Sequence, residues 1–281
     1  MPNWVVNRIS MTGPQESINA ALELLRSKDK EADAAIDFNN VIRMPSSLNL
    51  TAGGSDKDYI ALYLSSLSGA ERSAIALKLK AVETSFYGNY LRKYAGSFTH
   101  YIPEERRKVL EGSFQKEYSA INPTSAEDVG KTYIENILNY GADTWYDWSC
   151  KNWGTKWGPS NCSLNENGLS FDTAWSASLP ITGKLSEMFP NVVFSHEYAD
   201  ENIGSNCGRC VFENGELVDD YVPEGEEAVR FACDIWEYDV SEYLDGLEDC
   251  LSPTLETQIN TCAAQVVARD PESGSVDREA R

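Results

Sequence analysis

Cys207-Gly-Arg-Cys210 is the group whose residue types and spacing come closest to doing chemistry. A CxxC pair can give two thiolates to zinc or cycle as a redox couple. A structural zinc needs two further ligands. Cys150 and Cys162 are the candidates, but their spacing is not that of a second CxxC, and no thioredoxin-like βαβ pattern surrounds the motif. Two ordinary thiols beside a hairpin is the favoured reading. His100 and His196 are the only histidines, and neither stands beside a Ser or Cys elbow. On a strand, His196 and Glu197 point to opposite faces. Asp200-Glu201 and Asp219-Asp220 offer carboxylates to a cation, without EF-hand or HExxH spacing, so a solvated acidic face is expected. Gly53-Gly54-Ser55-Asp56-Lys57 lacks phosphate-loop spacing and reads as a turn. General acid–base work needs convergent groups. None is visible here, so neither an enzyme nor a bound cofactor is expected.

Charge is more informative. The chain carries a net charge of −20. Residues 1–131 hold 16 basic and 16 acidic side chains, whereas residues 132–281 hold 8 and 28. All the net charge therefore lies in the second half, most densely over residues 219–250. Such a surface repels nucleic acid and membranes and attracts basic protein surfaces. No apolar run approaches the roughly 18 residues needed to span a bilayer. No secretory signal is visible. A cytoplasmic protein with reduced thiols is expected, although Cys250 and Cys262 could crosslink subunits of a homo-oligomer.

The elements that would position these groups follow from periodicity. Residues 4–12 are rich in β-formers and stop at Gly13-Pro14, as a strand does. Residues 15–26 set Ile18, Ala21, Leu22 and Leu25 on one helical face. Residues 37–44 suggest a short strand or extended segment ending at Pro45. Helices are expected over 58–67, 69–91, 103–118 and 125–140, the last opening on a capping-box-like Ser125-Ala-Glu-Asp128. Residues 145–157 alternate aromatic and polar, and 168–175 alternate with period two. Residues 180–189 suit a helix and 191–198 a strand. Asn214-Gly215 between two β-rich runs marks a hairpin. Residues 224–247 form an acidic amphipathic helix or helix pair, and 254–268 one more helix. The order strand-helix-strand-strand-helix-strand is ferredoxin-like. The fold class is therefore α+β: a ferredoxin-like (βαββαβ) core over 1–50 and 144–222, a helical insertion over 51–143, an acidic helical region over 223–269 and a flexible tail over 270–281.

Particular residues strengthen this. Met1-Pro2-Asn3-Trp4, Asn7-Arg8, Phe38-Asn39, Trp153-Gly154-Thr155-Lys156-Trp157, Phe171-Asp172-Thr173-Ala174-Trp175-Ser176 and Tyr198-Ala199-Asp200-Glu201 occur in order. The chain in this respect resembles the YubB ferredoxin-like domain family of phages and conjugative plasmids, over its first 45 residues and about 145–221. The resemblance implies the fold and a mobile-element origin, and it carries no catalytic motif. Genes of this kind often accompany accessory genes that help incoming DNA survive, which suggests an anti-defence role in the host cytoplasm.

The tryptophan-rich segment could be a stacking platform for bases. The expectation is instead a core, with Trp153, Trp157 and Trp175 buried and the segment supplying two central strands of the sheet. The functional surface is then expected outside the shared domain, in the insertion and the acidic region. Aromatics among acids mark a protein contact, and Asp234, Trp236, Glu237, Tyr238, Asp239 and Glu242 are the candidate partner-binding residues. The expected partner is a host defence complex such as a restriction, CRISPR or Gabija-type nuclease. The alternatives are an acidic DNA mimic, and a metal-dependent enzyme or nucleic-acid binder on the sheet with Cys207 and Cys210 as ligands.

Overall fold

The computed structural model describes residues 2–28, 35–52, 56–82, 102–117 and 124–244. The expected helix over 254–268, the tail over 270–281, and His100, Cys250 and Cys262 lie outside them.

Six strands form one antiparallel sheet: β1 (Trp4–Thr12), β2 (Ser160–Asn165), β3 (Gly168–Ala174), β4 (Val193–Asp200), β5 (Cys207–Glu213) and β6 (Glu216–Tyr221). Their order is β2-β3-β1-β4-β5-β6. The first four strands, with α1 (Gln15–Leu25) between β1 and β2 and α7 (Leu179–Met188) between β3 and β4, make a ferredoxin-like unit. The β5–β6 hairpin extends it by two strands. Ile9 pairs with Leu169 on one side and with His196 on the other, which fixes the register of the centre.

Period-two alternation assigns the two faces of the sheet. Ile9, Met11, Leu169, Phe171, Phe194, Cys210 and Phe212 face α1 and α7 and form the main core. Val6, Ala199 and Cys207 face the other way, under α8 (Gly225–Trp236), whose buried Ala228, Ala232 and Ile235 complete a smaller core. Burying each large apolar side chain contributes about 1.5–3 kcal/mol.

Between α1 and β2 lie α2 (Asp56–Ser66), α3 (Gly69–Lys80), α4 (Glu104–Glu117), α5 (Ala126–Tyr140) and α6 (Trp145–Asn152). Helices α2 to α5 share a core of their own around Tyr59, Leu64, Leu110, Val129, Tyr133 and Ile137. α2 and α5 touch backbone to side: a Cβ on Gly130 would stand 2.0 Å from the Tyr59 carbonyl oxygen. Ser125 caps α5 by accepting from Asp128 N at 3.1 Å. Asp128 accepts from Thr124 rather than closing the box.

Two expected strands are corrected. Within residues 37–44 the chain makes a 3-10 turn at Phe38–Asn40, because the Asp37 carboxylate accepts from Asn39 N at 2.9 Å and curls the backbone. That turn drives Phe38 edge-on against Phe171 and Trp153, with centroids 5.6 and 5.9 Å apart. Residues 145–157 do not form a central strand either: Trp145–Asn152 is helical, Trp145 and Trp148 standing three apart as helix neighbours do. β3 is central, but its hairpin partner β2 is the sheet edge.

Candidate functional site

At the C-terminal end of α8 the chain reverses at Glu237, whose φ of 59° places it in the left-handed region. Tyr238 N then donates to Cys233 O at 2.9 Å, which closes the helix. Arg8 reaches across from β1 and donates to Ile235 O at 2.8 Å, a cation on the helix's negative end. Its guanidinium also pairs with Asp234 at 3.4 Å and Glu237 at 3.3 Å. Both carboxylates stay more than four-fifths exposed, so these pairs orient more than they stabilise.

Trp236 is held by its indole N–H, which donates to Ala199 O and Asp200 O, both at 3.1 Å. Tyr238 stacks on it at 5.7 Å between centroids, and Tyr243 stacks on Tyr238 at 5.8 Å, tilted by 4°. Tyr238 and Tyr243 are exposed. Asp239 accepts from Ser241 N and Oγ, bonds that hold its carboxyl below the usual range and fix the turn carrying Tyr243. All six candidate residues therefore meet at one corner: a fixed aromatic ladder among Asp234, Glu237, Asp239 and Glu242. Tyr243 was not among them. Its place in the ladder depends on the reversal at Glu237, which periodicity does not reveal.

Cys207 and Cys210 are both buried, on opposite faces of β5, with Cys207 under α8 and Cys210 in the main core. They cannot ligate one ion or form one disulfide without unravelling the strand. Burial, with Asp220 adding, pushes the Cys210 thiol up to about 12, and burial also raises Cys207. Both shifts run away from the reactive thiolate range.

A nucleophile–base–orienter geometry does occur, in the core. Thr182 Oγ1 lies 2.7 Å from His196 Nδ1, and His196 Nε2 lies 2.9 Å from Asn7 Oδ1. The Asn7 amide nitrogen donates to Thr173 Oγ1 at 2.8 Å, so its oxygen accepts and His196 carries its proton on Nε2. All three residues are fully buried, and burial drives the histidine down to about 3. Without access for substrate or solvent, the trio acts as a polar clamp joining β1, β4 and α7. Sequence gave no hint of it, since Asn7, Thr182 and His196 converge only through the sheet register.

The tryptophans divide. Trp148 and Trp153 are buried and pack edge-on at 5.5 Å, with Trp153 Nε1 donating to Ile42 O at 2.8 Å. Trp157 and Trp175 are 38% and 51% exposed, which corrects their assignment to the core. The signature residues around them are spent on the turn itself. Thr155 donates to Ala174 O, Ser176 to Gly154 O and Thr173 to Ser176 O. Gly154, at φ 81°, has no room for a Cβ against Pro180. This brace pushes Trp157 outward, where Lys156 lies over its ring at 4.4 Å, and leaves Trp175 outside β3 at φ 72°.

Of the four candidate carboxylates, Glu201 is exposed and the other three are occupied. Asp200 accepts from Asn3, Asn202 and Asn206, Asp219 pairs with Arg209 at 3.1 Å, and Asp220 accepts from the Cys210 thiol. Among the described residues no group of three His, Cys, Asp or Glu is arranged to hold a metal ion. Nor is any helix among them long and apolar enough to cross a membrane.

Residues 152–243 match the family described as "Ferredoxin-like domain in Api92-like protein". The matched stretch runs past residue 221 and takes in α8 and the aromatic ladder. The crystal structure of a protein api92 from Yersinia pseudotuberculosis aligns over 80% of this chain and 99% of its own, at 14% identity and a TM-score of 0.33. No curated protein matches the chain.

Proposed function

We propose that this protein is a non-catalytic binding protein that docks its acidic aromatic corner onto a basic surface of another protein. The Trp236–Tyr238–Tyr243 ladder carries the reading. Stacked rings fixed by backbone bonds lose little entropy on binding, and aromatics of this kind anchor interfaces. The carboxylates of Asp234, Glu237, Asp239 and Glu242 surround the ladder and select a basic partner. The clamp around His196 supports the non-catalytic half of the proposal, since this nucleophile–base–orienter geometry, found among the described residues, is sealed.

The resemblance to phage and plasmid proteins suggests the partner: a host anti-phage defence complex, which the protein inhibits in the host cytoplasm. A pull-down with the full chain, from a host carrying several defence systems, tests both halves. The expected result is a defence complex captured by the native protein and lost on Tyr238→Ala. Capture unaffected by Tyr238→Ala and by the combined Asp234→Asn, Glu237→Gln, Glu242→Gln change would sink the corner as the contact. Capture of no defence protein would sink the target class. A DNA mimic would lose binding with the carboxylate changes and retain it with Tyr238→Ala.

A further inference from the structure

The opposite end of the sheet offers a different kind of surface. β6 is the terminal strand, and among the described residues nothing pairs with its outer side. Five of its six residues are exposed. Leu217 and Val218 are each 51% exposed, and Val222 just beyond the strand is 61% exposed. Three aliphatics thus lie uncovered along one free edge, beside a row of unpaired backbone donors and acceptors. Such an edge is a template for another strand.

The hairpin is held rigidly. Gly215 N donates to Ser186 Oγ at 2.9 Å on the α7 side. On the α8 side, Tyr221 packs against Phe231 at 5.9 Å and lies under the Arg209 guanidinium at 5.5 Å. Between Val211 and Phe212 a bulge adds Val218 to β6, and both Leu217 and Val218 remain half exposed beside it.

Charge decides what the edge accepts. Glu213, Glu216, Asp219 and Asp220 lie on the β5–β6 hairpin, and Glu227 bonds Tyr221 at the end of β6. The cations in this corner are engaged within the chain: Arg209 with Asp219, Lys184 with Glu187, and Arg230 with Glu226. A second copy pairing antiparallel through β6 would set these acids against their own equivalents, and like charges across a sheet are destabilising. A basic strand meets the opposite situation.

We propose that β6 is a strand-addition site for an extended segment that alternates basic and aliphatic residues. Its backbone continues the sheet beyond β6, its aliphatics cover Leu217, Val218 and Val222, and its cations meet the surrounding carboxylates. This surface is separate from the α8 corner, and the two proposals stand or fall apart.

The test uses the full chain and a fluorescent peptide of alternating arginine and valine, with affinity read by anisotropy. The same peptide fully N-methylated keeps its charge but cannot donate to the edge. The expected result is binding of the parent peptide and about tenfold weaker binding of the methylated one. Equal binding of the two would reduce the contact to charge alone and overturn the proposal, as would no binding of the parent. Leu217→Lys with Val218→Lys should weaken the parent peptide by about tenfold or more, whereas Leu77→Lys, at a 70% exposed helix position, should leave it unchanged. Equal loss from both would also overturn it. Light scattering supplies the last arm. A dimer of the peptide-free protein that Leu217→Lys with Val218→Lys dissolves would show that the edge takes a second copy instead. Tyr238→Ala should leave peptide affinity unchanged.

Discussion

His196 on β4 lies diagonally across from Asn7 on β1, two residues from its register partner Ile9, and the histidine donates its Nε2 hydrogen to the asparagine oxygen at 2.9 Å. With Thr182 on the other ring nitrogen, every polar atom of the imidazole is satisfied while it remains neutral.

That neutrality makes stability depend on pH. Unfolded, His196 titrates near 6.5, but burial holds it down to about 3 in the fold. The unfolded chain therefore binds a proton that the folded one refuses, and stability from this group is complete above 6.5 and is lost as pH falls toward 3. The loss should reach the order of a few kcal/mol. Urea unfolding across this window, for the native chain and His196→Gln, should show a shallower acid slope in the variant. Equal slopes would contradict a buried neutral imidazole.

Trp153 and Trp175 should respond in opposite ways. Trp153→Ala empties a packed site and removes the donor to Ile42 O, a change expected to cost about 3–5 kcal/mol. Trp175 is half exposed and strained at φ 72°, so Trp175→Gly should fall within about 1 kcal/mol of native stability. Thermal unfolding followed by circular dichroism measures both.

Thiol labelling separates the cysteines by burial. Cys150 is exposed and should react with a maleimide in the native protein, whereas Cys207, Cys210 and Cys233 are buried and should react only on unfolding. Mild oxidation should produce no Cys207–Cys210 disulfide. Peptide mapping by mass spectrometry would reveal one, and its appearance would contradict their placement on opposite faces.

Gly130→Ala should open the α2–α5 contact. The added methyl group meets Tyr59 O, and the strain is expected to cost about 1–3 kcal/mol despite the better helix propensity of alanine. Denaturant unfolding measures the loss, and increased stability would mean that the two helices do not approach this closely.

Strictly local signals were legible in the sequence. The spacing of Ile18, Ala21, Leu22 and Leu25 marks α1, Asn214-Gly215 marks the β5–β6 turn, and the element order points to the ferredoxin-like unit. Burial of individual aromatics was not legible. Trp157 and Trp175 lie in the same rich segment as Trp153, yet they are turned outward by hydrogen bonds from Thr155 and Ser176 that no hydropathy pattern encodes. The candidate corner was legible as composition, six residues in one acidic stretch. Its convergence with Arg8 and Tyr243 was not, because it depends on a helix end and on a strand more than two hundred residues away.

β1 lies between β3 and β4. During synthesis β1 leaves the ribosome well before it can be enclosed, since its partners emerge only after the whole insertion. The helices of the insertion share a core that draws only on residues between α1 and β2 and can assemble while β1 waits. Closing the sheet then brings together segments about 165 residues apart, with the loop-closure cost that such a span carries. The sheet can therefore be sealed around β1 only when residue 200 is out, whereas the insertion needs no residue of the sheet to build its core.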